Sequence, residues 1–159
     1  MNNMMGLHIH ESNLIEGINS DRADKDCMLA WEELSKAKEI THSTLMKLHL
    51  MITSHQNELS ADEKGNYRRI QVYVGNHTPP AAHMVPALMM QYLKEFEAMD
   101  PIEAHVRFET IHPFVDGNGR TGRMLLWWHQ IKLGKEPTLF EDNLKHENYY
   151  PLFRGERKL

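Results

Sequence analysis

An all-α domain carrying one short β-hairpin is the fold that this sequence predicts. Three features lead there. Apolar residues recur at helical spacing along most of the 159 residues. Only one stretch, Tyr67-Arg-Arg-Ile-Gln-Val-Tyr-Val, alternates polar with β-branched and aromatic residues. The length suits a single domain with a sizeable core, whereas two domains would leave both halves marginal.

Each element has a local reason. Ser12-Asn-Leu-Ile-Glu16-Gly17 reads as a short helix with a capping-type serine and a terminating glycine. Asp21 or Asp24 can cap a second helix whose apolar face is Cys27, Ala30, Leu34 and Ala37. Thr41 can cap a third, with Leu45, Leu48 and Ile52 inward. The alternating stretch then meets Gly75-Asn76 and ends at Pro79-Pro80, which predicts a hairpin too small to stand alone and therefore exposed as a flap. Val85, Leu88, Met89, Tyr92, Leu93 and Phe96 form an amphipathic stripe with Pro86 in the first turn. Pro101 restarts the chain into a helix reaching His112. From Arg120 to Leu133 the apolar residues surround the helix on nearly every side, which predicts a central, buried element closed by Gly134. A last helix is expected near His146 to Arg154.

Composition narrows the functional classes. Net charge is −4 and pI about 6.2, so no global basic field suggests nucleic acid or an anionic membrane as partner. Cys27 is the one cysteine, which excludes an internal disulfide and fits a reducing compartment. The opening Met-Asn-Asn-Met-Met-Gly-Leu-His lacks a basic region and apolar core, so a soluble cytoplasmic protein is expected. Eleven methionines read as adaptable core filler.

The chemistry concentrates in residues 112 to 123, His-Pro-Phe-Val-Asp-Gly-Asn-Gly-Arg-Thr-Gly-Arg. Gly117, Gly119 and Gly122 each cost up to about 1 kcal/mol relative to alanine inside a helix, so they serve something other than local stability. They let the backbone approach a ligand where a helix starts, and a helix N-terminus is an anion site. Arg120 and Arg123, three positions apart, can both reach one polyphosphate. Asp116 supplies the carboxylate that a phosphate-bridging divalent cation needs, and His112 can take a proton from an attacking hydroxyl. Phe114 reads as a packed anchor.

This run resembles the signature of the Fic family, His-Pro-Phe-x-Asp/Glu-Gly-Asn-Gly/Lys-Arg-x-x-Arg, at every defined position. Gly65, Tyr67, Arg68, Phe108, Glu109, Ile111, Tyr149 and Tyr150 extend the resemblance over about residues 40–155. It implies a Fic fold and a protein adenylyltransferase that moves AMP from Mg-ATP to a Ser, Thr or Tyr hydroxyl, releasing pyrophosphate. It further implies His112 as general base and Asp116 as the Mg²⁺ ligand. Gly117, Asn118 and Gly119 would form the α-phosphate pocket, with Arg120 and Arg123 on the β- and γ-phosphates. Val72, Tyr73, Val74, Gly75, Asn76 and His77 would form the flap that aligns a target segment by strand addition. Glycine at 119 separates the chain from phosphorylating relatives, which carry lysine there.

Ser12, Glu16 and Gly17 resemble the family's inhibitory motif, Ser/Thr-x-x-x-Glu-Gly/Asn, placed before the core as in the subgroup with an N-terminal inhibitory helix (class II-like). The implied arrangement is a single domain over 1–159, with an inhibitory region in 1–20 and Glu16 paired to Arg123. ATP and a target protein are the implied partners; a homodimer is compatible with the family, and no nucleic acid or membrane is expected. Removal of AMP by the same site and a non-catalytic nucleotide-binding module are the alternatives. A metal-dependent phosphohydrolase is disfavoured because few further ligands are visible. His8 and His10 read as surface histidines, His105 as a polar support beneath the site, and Trp127 and Trp128 as core or subunit contact.

Overall fold

The computed structural model describes residues 3–155 and 157–159. Met1, Asn2 and Glu156, including the first two positions of the expected 1–20 region, lie outside the described residues. Seven α-helices are described: α1 (Asn3–Ile15), α2 (Asp21–Leu34), α3 (His42–Thr53), α4 (Val85–Glu95), α5 (Pro101–Ile111), α6 (Asn118–Lys132) and α7 (Lys145–Asn148). Short 3₁₀ turns flank α4 and α7.

The starts of α2, α3 and α5 follow from single side chains. Thr41 accepts from the Thr44 amide to cap α3, and Asp100 accepts from the Ile102 and Glu103 amides to cap α5 ahead of Pro101. The cap of α2 is Ser20 rather than Asp21 or Asp24. Asp24 is instead drawn to α1, accepting from Asn13 Nδ2 and contacting His10 Nδ1, both at 2.7 Å.

α6 is the axis of the molecule, packed against α1, α3 and α5. Residues 120 to 130 are all buried, and Trp127 and Trp128 face the core. α1 is a full thirteen-residue helix, so Ser12 sits within it and not at its start. Gly17, at φ 72°, ends α1: the amides of Gly17 and Ile18 return to the carbonyls of Leu14 and Asn13. Glu16 is thereby left at the tip of the helix. His8 is not a surface residue either. It is buried edge-on against Trp127, with its ring nitrogens 2.8 Å and 3.0 Å from the carbonyl oxygens of Met4 and Pro137.

The expected hairpin reduces to one antiparallel bridge, Val74 with His77 across Gly75-Asn76; no strand occurs among the described residues. Arg68, inside the expected first strand, explains why. Its side chain is buried and spends its donors on the carbonyls of Ile70, Pro80, Ile111 and His112, so the segment is tied to the end of α5 rather than to a partner strand. The last expected helix is likewise shorter, with α7 passing at Tyr150 into a 3₁₀ turn containing Pro151.

Candidate active site

The loop between α5 and α6 carries His112 to Gly117. His112 ends α5 in the left-handed conformation at φ 51°, a costly state for a non-glycine residue. Arg68 holds it there through a 2.7 Å bond from Nε to the His112 carbonyl. The His112 ring lines a cavity of about 890 Å³, shared with Glu16, Val74 to His77, Glu109, Gly119 and Tyr149. Burial pushes the imidazole down to about 4, so the ring is neutral at pH 7 and able to accept a proton.

Asn118 is buried and spends both ends of its amide on the main chain of Phe114, at 2.9 Å each. Its side chain closes the loop and is not free for a ligand. The cradle is therefore backbone: Gly117, at φ 80°, turns the chain into α6, and no side chain caps that helix. Gly119 is the open position. A Cβ there would lie 2.1 Å from Glu16 Oε1, so the Glu16 carboxylate rests directly over the N-terminal turn of α6.

Glu16 reaches Arg123, which is fully buried. Arg123 Nη2 donates to Glu16 Oε1 at 2.7 Å, Nε to Ser12 Oγ at 2.7 Å and Nη1 to Tyr149 OH at 2.9 Å. Its guanidinium also lies 5.0 Å from the Tyr149 ring centre. Burial works against this charge, but Tyr149, Glu16 and Glu109 outweigh it and hold the guanidinium raised. An acid at the end of its own helix opposes that helix's dipole, whereas α6 presents it with a positive end.

Arg120 does not join Arg123. It is also buried, but directed toward the turn that follows α3, where Nη2 donates to Gln56 Oε1 at 2.7 Å. Gln56 Nε2 in turn donates to Asp116 Oδ2 at 2.6 Å. Burial would raise the Asp116 carboxyl, yet Gln56, the Gly117 amide and Arg120 together hold it below the usual carboxylate range. His49 fixes the same loop from beneath, stacked on Phe114 with ring centres 3.7 Å apart. The Gly65 amide donates to its Nδ1 at 2.9 Å, so Nε2 carries the hydrogen and donates to the Asp116 carbonyl at 2.8 Å. His105 supports the site as expected, bonded to Tyr149 OH at 2.9 Å.

Gln56, His49 and Arg68 acquire their roles only through folding. His49, within α3, and Gln56, just after it, stand some sixty residues before Asp116, with no motif to single them out. No set of three or more His, Cys, Asp or Glu side chains converges among the described residues. Asp116 alone, with a half-exposed side chain, suits a cation that takes its other ligands from phosphates and water. No described helix is long and apolar enough to cross a membrane.

Known proteins resemble this chain along most of its length. A protein adenylyltransferase Fic from Culex quinquefasciatus is 31% identical over 153 residues, 91% of this chain and 29% of that protein. One from Nematostella vectensis is 32% identical over 125 residues, 73% of this chain and 29% of that protein. The chain thus spans under a third of the length of these curated relatives. Among solved structures, a Fic domain containing signaling protein from Bacteroides thetaiotaomicron superposes with TM-score 0.77 at 21% identity, covering 95% of this chain and 71% of that one. Fic-1 from C. elegans superposes at 0.74 with 20% identity, covering 96% and 55%. Both likenesses concern the fold. The Fic/DOC family model matches residues 39–129, the span that brings α3, α5 and most of α6 around the loop, and the chain belongs to that family.

Proposed function

We propose that the protein is a protein adenylyltransferase held in an autoinhibited state by its own N-terminal helix. The observation that carries this reading is the Glu16 carboxylate lying over Gly119 and bonded to Arg123. An anion of the chain itself occupies the cradle that a phosphate would take, and it claims the guanidinium that would bind the far phosphate of ATP. While it stays, triphosphate meets a blocked contact and a like charge.

With Glu16 displaced, the backbone of Gly117, Asn118 and Gly119 would receive the α-phosphate and Arg123 the γ-phosphate. Asp116 would hold Mg²⁺, which when bound neutralises phosphate charge and the leaving pyrophosphate. His112 takes the proton from a Ser, Thr or Tyr hydroxyl of the target as its oxygen bonds to the α-phosphorus. The bond from that phosphorus to the bridging oxygen breaks, and pyrophosphate leaves. Val74 to His77 border the same cavity, and residues 72–77 would align the target segment by main-chain pairing. In this reading 1–159 is one unit, with 1–20 regulatory and 40–155 the core.

The test is incubation of the wild type, Glu16→Gly and His112→Ala with Mg-ATP labelled at the α- or γ-phosphate. Glu16→Gly should raise protein-bound α label by about 5- to 150-fold, the range of a 1–3 kcal/mol coupling, and His112→Ala should abolish it. Equal labelling in wild type and Glu16→Gly would sink autoinhibition, and transfer of γ label would mean a kinase. Glu16 lines the cavity alongside His112, so it could also orient water for the reverse reaction. Release of AMP from pre-modified protein, lost in Glu16→Gly, would establish that second reading.

A further inference from the structure

The amide of Gln56 stands between two members of the signature loop. Its residue is 4% exposed, and the two bonds it makes there are short: 2.7 Å from Arg120 Nη2 to Oε1, and 2.6 Å from Nε2 to Asp116 Oδ2. The direct distance from Arg120 to Asp116 is 3.8 Å, too long for a hydrogen bond. A guanidinium only donates and an ionised carboxylate only accepts, so the amide can face them in one orientation and no other. Its Nε2 also reaches Glu58 Oε1 at 3.1 Å, a longer contact on the same outward side.

Arg120 has little else. Its Nε and Nη1 are buried without a protein partner, so the Gln56 carbonyl is its chief compensation. With Nη2 given to Gln56, this guanidinium is committed to the Asp116 side, whereas Arg123 is the one that meets Glu16 over Gly119. What it can do is fix the amide. The amide in turn occupies Oδ2 of Asp116 and leaves Oδ1 without a side-chain donor, while His49 secures the carbonyl of the same residue at 2.8 Å.

We propose that Gln56 is a positioning residue of the nucleotide site, aiming the Asp116 carboxylate so that a single oxygen meets a phosphate-bound divalent cation, with Arg120 locking the amide from behind. This rests on the nucleotide-binding reading above. It moves Arg120 from the phosphates to the support of the metal carboxylate, and it adds a residue outside the signature to the site. Partners of this kind around a ligating carboxylate set its orientation and its affinity for the metal.

The experiment measures ATP affinity by calorimetry in a Glu16→Gly parent, once in EDTA and once with Mg²⁺, after circular dichroism has verified folding. Adding Gln56→Leu or Arg120→Met should cut the gain in affinity due to Mg²⁺ by about tenfold or more while leaving affinity in EDTA within about twofold, and Arg120→Lys should restore part of the gain. Should Gln56→Leu not fold, Gln56→Asn, too short to span both partners, should give the same loss. Equal weakening in EDTA and Mg²⁺ by Arg120→Met would make Arg120 a phosphate ligand and overturn the inference. So would an undiminished Mg²⁺ gain in the Gln56 variants, or a parent that binds ATP with no Mg²⁺ gain at all. A parent that binds ATP in neither buffer would instead overturn the nucleotide reading itself, and this inference with it.

Discussion

Gly119 and Glu16 define each other. The glycine leaves room for an anion at the start of α6, and the glutamate fills that room. Gly119→Ala separates the two effects, because its Cβ would push the flexible Glu16 carboxylate away yet occupy the phosphate position. It should therefore break the contact with Arg123 without the gain in labelling expected for Glu16→Gly, as calorimetry with ATP and α-label transfer would show. His112 carries a second expectation at this scale. Burial holds it down to about 4, so in a Glu16→Gly protein the acidic limb of the rate should lie well below pH 6.5. A limb at or above 6.5 in a pH–rate series would argue for a different base.

Among the elements, α1 matters most because it is both scaffold and lock. Ser12 gives Arg123 two of its bonds, one from the hydroxyl and one from the carbonyl. Ser12→Ala leaves a buried guanidinium nitrogen unpaired and should cost about 1–3 kcal/mol, read as a lower urea midpoint together with raised basal labelling. The contact between α5 and α6 is equally tight. A Cβ at Gly122 would lie 2.6 Å from Glu109 Oε1 and 3.0 Å from Phe108, so Gly122→Ala should destabilise by about 1–3 kcal/mol in chemical denaturation. The segment after Arg68 shows the opposite case, since its alternation suits a strand but the Arg68 side chain claims its carbonyls at Ile70 and Pro80. His77, whose Nε2 lies 2.9 Å from the Thr110 carbonyl, pins its far end.

For the whole molecule, buried ionisable groups set how stability varies with pH. His49 and His112 are pushed down to about 4 and His105 to about 3, each chiefly by burial. Unfolded, each would take up a proton near pH 6.5, so stability is complete above that value and is lost as pH falls through 6.5 toward 4. At pH 5 each contributes a loss on the order of 1–2 kcal/mol. Glu109 has the opposite sign, since burial pushes its carboxyl up to about 8. The folded state keeps that proton from about 4.5 upward, so stability falls as pH rises from 4.5 to 8. Three histidines outweigh one glutamate on the acid side, and only Glu109 acts between 6.5 and 8. Urea midpoints across pH 4.5–9 should peak near pH 6.5, and Glu109→Gln should flatten the alkaline side; a midpoint still rising at pH 8 would contradict this.

The sequence by itself determined the helical class, the cap at Thr41, the helix start at Pro101, the burial of Trp127 and Trp128, and the twelve residues where the chemistry sits. These follow from periodicity, from turn and cap chemistry, and from glycines that make poor sense as packing, all of which are local. Tertiary structure decided which way two identical side chains point. Arg120 and Arg123 are one helical turn apart and equivalent in sequence, but the turn after α3 offers Arg120 an amide while α1 and its tip offer Arg123 a hydroxyl and a carboxylate. A buried guanidinium goes where its donors are met, and those partners lie 64 and 107 to 111 residues away along the chain, beyond the reach of any local pattern.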